Sequence, residues 1–93
     1  MKVNLRNLGT INKNCVTISS DKGSVDLYFS YETLVGVDEK ASINNWSNTT
    51  GKFLNELEPD KSKRVLHEEV LKTAEDRLKK ILYTPQELIV EKL

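Results

Sequence analysis

The sequence predicts an α+β domain in which a small antiparallel β-sheet, a meander, is covered by a long C-terminal amphipathic helix with short helices beside it. Three observations carry that expectation. Apolar residues alternate with polar ones through the first 44 residues, they recur at three and four between Asp60 and Leu82, and the period changes at Trp46.

Val3 and Leu5 alternate with polar neighbours, Gly9 to Asn14 is rich in turn formers, and Val16 and Ile18 alternate again up to Ser20-Asp21-Lys22-Gly23, a hairpin turn. In SVDLYFSY, Val25, Leu27, Phe29 and Tyr31 fall on one face, with Asp26, Tyr28, Ser30 and Glu32 on the other. This is the best strand and is expected at the centre. Leu34 to Val37 continues extended, Asp38-Glu39-Lys40 turns, and Ala41 to Asn44 offers a short return strand. From 46 to 57 a short helix is expected, capped by Ser47 or Asn48, with Phe53, Leu54 and Leu57 as its apolar stripe. Gly51 weakens it.

The long helix is expected over 60–82. Leu66, Val70, Leu71, Ala74, Leu78, Ile81 and Leu82 form its apolar stripe, and Glu68–Lys72, Glu75–Lys79 and Asp76–Lys80 are acid-before-base pairs four apart. Such a helix would span roughly 34 Å, long for so small a sheet. Leu71 and Leu78, and Ala74 and Ile81, also repeat seven apart, so a homodimer through this helix is expected. Thr84-Pro85-Gln86-Glu87 reads as a capping box opening a short terminal helix over 85–92, a final strand through Leu88-Ile89-Val90 being the alternative. Val25, Leu27, Phe29, Leu66, Val70 and Leu78 are the expected shared core.

At 93 residues the chain forms one domain, with 14 basic and 14 acidic side chains and zero formal charge. Strong sequence-independent attraction to nucleic acid or an anionic membrane is therefore not expected, and nucleic-acid binding would need a local patch. Cys15 sits in an alternating apolar stretch and reads as a buried structural thiol. MKVNLRNLG lacks the apolar run of a secretory signal, and no stretch is long and apolar enough to span a membrane, which points to a cytoplasmic protein.

Few groups can carry catalysis. His67 has no second histidine or thiol at ligand spacing, so neither a zinc site nor a histidine triad is expected. Asp26 and Glu32 could converge on one strand face, but acid–base work needs a cleft, and they read as solvent-face residues. Thr49-Thr50-Gly51-Lys52 lacks the upstream glycine spacing of a triphosphate-binding loop. A helix start with free amides, the Thr49 and Thr50 hydroxyls and Lys52 could hold one anionic group. Trp46 could stack on an unpaired base, but is expected to be largely buried as a plug between sheet and helix.

Tyr28-Phe29-Ser30-Tyr31-Glu32-Thr33, followed by Asn44-Asn45-Trp46-Ser47-Asn48-Thr49-Thr50-Gly51-Lys52-Phe53-Leu54-Asn55, resembles small uncharacterised proteins encoded by phages, prophages and plasmids. Their pattern runs YFSYxT, a hairpin, then NxWSxTTxKHLN. Phe53 stands where those proteins carry histidine, so a role for that histidine does not transfer. The resemblance implies a mobile-element origin and marks Trp46, Ser47, Thr49, Thr50, Lys52 and Asn55 as candidate binding residues. The function expected is that of a non-enzymatic accessory protein, without cofactor or metal, that binds a host or viral protein. The alternative is a small nucleic-acid-binding protein using the Trp46 to Lys52 surface.

Overall fold

The computed structural model describes residues 1–82. The expected terminal helix over 85–92 and its strand alternative lie outside the described residues. The first half of the chain folds as the expected meander, except that the return strand expected over Ala41 to Asn44 is instead Lys40–Ala41, with Ser42 bridged to Val65. Strands β1 (Lys2–Asn7), β2 (Lys13–Ser20), β3 (Gly23–Ser30), β4 (Thr33–Val37) and β5 (Lys40–Ala41) form one antiparallel sheet in sequence order. Ser20 pairs with Gly23, so Asp21 and Lys22 make a two-residue turn. Gly23 sits at φ +135°, where other residues are strained.

The register between β3 and β4 shifts at Tyr28 and Phe29, leaving Val35 as an extra residue between Leu34 and Gly36. This bulge gives the short strand β4 apolar side chains in two separate cores. On one face Val25, Leu27 and Val37 pack with Val70, Ala74 and Ile81 of α2 (His67–Leu82), and Val16, Ile18, Phe29, Leu34 and Leu78 lie against them. On the other, Val35 and Ala41 pack with Phe53 and Leu54 of α1 (Asn48–Leu57), beside Tyr28 and Leu57. The sheet is thus covered on both faces. Each fully buried Val or Leu contributes about 1.5–3 kcal/mol over leaving it exposed.

Two expectations about the long helix are corrected. It begins at His67, not Asp60, so its 16 residues span about 24 Å. Asp60 caps only a 3₁₀ turn, Lys61–Lys63, after which the chain becomes extended. Val65 donates to the Ala41 carbonyl and accepts from Ile43 N–H, forming a parallel bridge between Ser42 and Val65. Backbone pairing with the sheet edge outweighs helix propensity there. Leu66 consequently precedes the helix and is 58% exposed, not part of the core. Phe29 and Leu78 contact the core but are only half-buried. Ala74 and Ile81, half of the seven-residue repeat, are buried against the sheet.

Polar ties fix the layers. Arg77 of α2 reaches the β4–β5 turn, donating to Asp38 and, at 2.9 Å, to Glu39. Asp38, at φ 48°, accepts from Asp26 N–H at 2.8 Å. Lys13 of β2 pairs with Glu56 of α1 at 2.6 Å. Ser20 Oγ donates to the Ile81 carbonyl at 2.5 Å, anchoring the end of α2 on the β2–β3 turn.

Candidate functional site

Ser47 is the N-cap of α1, its Oγ accepting from Thr50 N–H at 3.3 Å. That bond turns Thr50 inward. Its hydroxyl lies 2.8 Å from Ser30 Oγ, and both side chains are buried. Thr50, expected as an exposed ligand group, is instead a core residue, its hydroxyl paired with the buried Ser30 hydroxyl of β3. Ser30, expected on a solvent face, is buried for the same reason.

Trp46 corrects a second expectation. It is 36% exposed and meets the His67 ring edge-to-face, with centroids 4.9 Å apart. Phe53 and Leu54 fill the space between α1 and the sheet, which leaves no room for an indole plug. His67 is held by the Leu34 carbonyl, 2.8 Å from Nε2. Thr49 is exposed on the first turn of α1.

Lys52 and Asn55 enter a groove of about 650 Å³ whose other lining residues are Ile43, Asn44, Asn48, Gly51, Lys61 and Arg64. Asn48, Lys52 and Asn55 lie on one face of α1 by their spacing of four and three. Lys61 and Arg64 come from the 3₁₀ turn and its C-cap. Arg64 is fixed by donating from Nε and Nη2 to the Glu58 carbonyl at 3.0 and 2.9 Å, and from Nη2 to Asn55 Oδ1 at 2.6 Å. Asn44 accepts from Trp46 N–H at 2.9 Å and donates to the Ser47 carbonyl at 3.3 Å. A Cβ at position 51 would meet Asn44 Nδ2 at 2.8 Å, so glycine, unfavourable within a helix, is what lets this asparagine form the groove wall. Among the described residues no carboxylate lines the groove. The nearby acids serve their own backbone. Glu58 accepts from Asp60 N–H, and Asp60 accepts from Ser62, which holds its carboxyl below the ordinary value.

Of the six expected site residues, the groove gathers Lys52 and Asn55 and leaves Trp46, Ser47, Thr49 and Thr50 outside its lining. Sequence reasoning missed Asn44, Asn48, Lys61 and Arg64. The helical spacing of Asn48, Lys52 and Asn55 was available. Lys61 and Arg64 were hidden by assigning them to the long helix.

A second concavity, about 330 Å³, is lined by Leu5, Asn14, Val16, Phe29, Tyr31 and Glu32. It lies toward β1, beyond α2, which packs chiefly on β3 and β4. Val3 and Leu5 pair across to Ile18 and Val16 and therefore share the α2 face, yet they are 57% and 68% exposed. Tyr31 adopts φ 54°, a left-handed conformation costly for an aromatic side chain, and is itself largely exposed. Asp26 and Glu32 do not converge, since Asp26 accepts from Thr17 Oγ1 at 2.6 Å whereas Glu32 lies at this second concavity. Cys15 is fully buried, as expected, and accepts from Arg6 at 3.3 Å. Among the described residues, no group of three or more His, Cys, Asp or Glu could hold a metal ion, and no helix is long and apolar enough to cross a membrane.

These features define a small α+β domain whose five-stranded meander carries one helix on each face and a cationic groove beside the first. The chain belongs to a family of unknown function (DUF8033), whose model matches residues 3–73 and so takes in β1 from its second residue, β2 to β5, α1, the 3₁₀ turn and the start of α2. No curated protein and no solved structure matches the chain.

Proposed function

We propose that the protein is a non-enzymatic accessory factor that acts by binding another protein through the uncovered part of its sheet. The observation that carries this reading is the exposed apolar strip of Val3 and Leu5 on edge strand β1, continuous in register with Val16 and Ile18. Large apolar side chains grouped on an edge strand are a liability that a monomer ordinarily blunts, and a partner that covers them removes the cost. The strained, exposed Tyr31 at the end of the same face supports it, since local strain is retained where a side chain has a task. The resemblance to phage, prophage and plasmid proteins supports a host or viral protein as the partner, met inside the host cell.

The test is a comparative capture. The wild-type chain should retain a partner protein that the Leu5→Asp variant loses and the Lys52→Ala variant keeps. Equal retention by wild type and Leu5→Asp would remove β1 as the contact surface. A homodimer at the 60–82 stretch has Leu66 and Leu71 to offer as exposed apolar groups. A light-scattering mass that stays monomeric across a wide concentration range would remove that reading without touching the first.

A further inference from the structure

We propose that the groove between α1 and the 3₁₀ turn binds the phosphate groups of a nucleotide, free or within a single strand. This goes beyond the protein-binding reading and uses a different face of the molecule. The groove converges three cationic side chains, Lys52, Lys61 and Arg64, with no carboxylate in its lining among the described residues. Elsewhere in this neutral chain Lys13 pairs with Glu56, Lys40 with Glu69, Lys79 with Glu75, and Arg77 with Asp38 and Glu39, and cations such as Lys22 and Lys72 that form no ion pair among the described residues lie outside the groove. None of the three groove cations forms an ion pair among the described residues. Like charges brought together without a counterion repel one another, and an anion that bridges them reverses the sign of that interaction.

The groove is also built. Arg64 is already oriented by the Glu58 carbonyl and Asn55, so its guanidinium loses little freedom on meeting a ligand, and its Nη1 has no hydrogen-bond partner among the described residues. A planar guanidinium with two flanking ammonium groups suits a phosphate or pair of phosphates better than a lone carboxylate. Asn44, Asn48 and Asn55 place amides, each both donor and acceptor, around the cations, which is the chemistry that contacts sugar hydroxyls and base edges. Gly51 keeps the helix low enough for Asn44 to remain there. A volume of about 650 Å³ accommodates a nucleotide-sized ligand. The cationic surface is thus centred on the Lys52 side of α1, away from Thr50, which is buried.

The experiment is fluorescence anisotropy with a labelled oligothymidylate across a salt series, with inorganic pyrophosphate as competitor. The double variant Lys52→Glu/Lys61→Glu is compared with Lys22→Glu/Lys72→Glu, in which all four positions are exposed and the second pair lies outside the groove. Circular dichroism confirms that both variants fold. Wild type should bind with a log–log salt slope near −2, at about −0.7 for each of three phosphates neutralised on a single strand. The groove variant should lose at least about tenfold at low salt, and the control should stay within about twofold. Pyrophosphate binding that depends on the groove, without oligonucleotide binding, assigns the ligand as a free phosphorylated compound. Equal losses in the two variants, or no saturable binding of either probe, overturns the proposal. Neither result bears on the β1 surface, which Leu5→Asp tests separately.

Discussion

On the α1 side of the sheet, Phe53 and Leu54 of the tryptophan motif are buried and its cap and buried hydroxyl are bonded, whereas at the β1 end large apolar side chains are exposed. Phe53 and Leu54 are sealed, and Thr50 is bonded to Ser30. Met1, Val3, Leu5, Ile11 and Tyr31 are all more than half exposed. Of the residues that look most like a site in the sequence, Ser47 and Thr50 hold α1 in place, whereas Lys52 and Asn55 line the groove. The two surfaces proposed for partner and ligand are an apolar strip that reads as ordinary strand alternation and a groove assembled from two separate segments.

The widest gap between these regions should appear in stability. Phe53→Ala should cost about 3–5 kcal/mol in chemical denaturation, the range for a buried phenylalanine. Leu5→Asp should change stability by no more than about 0.5 kcal/mol, as at an exposed position. A loss above about 1 kcal/mol for Leu5→Asp would mean that another part of the same molecule covers the strip, and the contrast would collapse.

A smaller effect sharpens the α1 side. Thr50→Val keeps the shape but leaves Ser30 Oγ without its partner in the core, at a cost of about 1–3 kcal/mol. Adding Ser30→Ala should recover part of that loss, because no buried hydroxyl then goes unpaired. A double variant as unstable as the sum of the singles would show that the two hydroxyls are not coupled.

How much of this was legible depends on whether local or tertiary forces decided each element. The strands were, because Val25-Asp26-Leu27-Tyr28-Phe29 alternates cleanly and the Ser20 to Gly23 turn is specified by its own residues. The start of α2 was not. Apolar spacing ran unbroken from Leu66, and the choice of an extended Val65 was made by the Ala41 carbonyl and Ile43 amide, which no local pattern encodes. Glu68 and Glu69 in the first turn of α2 were the available clue, since acids favour a helix N-terminus. Within the groove, the face of α1 was readable, but Lys61 and Arg64 reach it only once the 3₁₀ turn folds back. Trp46 misled because size suggests burial, while its neighbour Ser47 needed the helix to begin immediately after it.

The β1 end can be probed through Tyr31. Its left-handed backbone costs a residue of this kind about 1–2 kcal/mol, and asparagine tolerates the conformation better. Against that gain stands the loss of the covered part of its side chain at the concavity it lines, so Tyr31→Asn should be neutral or more stable by about 0.5 kcal/mol. The same variant should bind the captured partner more weakly. A variant that is less stable by about 1 kcal/mol, with partner binding intact, would assign Tyr31 to the fold and take it out of the interaction surface.

The smallest expected effect lies at the tie between α2 and the β4–β5 turn, and it depends on pH. Hydrogen bonding and charge from Arg77 hold the Glu39 carboxyl below its ordinary 4.5. A carboxyl depressed in the folded state contributes stability that is present above its unfolded value and lost as pH falls through the folded one. The window therefore opens near pH 4.5 and extends downward. Because the pair is exposed, solvent screens it and the contribution is slight. Arg77→Gln removes the donor, so melting temperatures followed from about pH 6 to about pH 3 should fall less steeply in the variant than in wild type. Asp60 serves as an internal control: its carboxyl is lowered by Ser62, far from Arg77, and its share of the acid-induced loss should persist in both proteins. Parallel curves for the two proteins would show that the Arg77–Glu39 contact adds nothing on acidification, leaving the apolar face of α2 and its ties through Ser20 and His67 to hold it on the sheet.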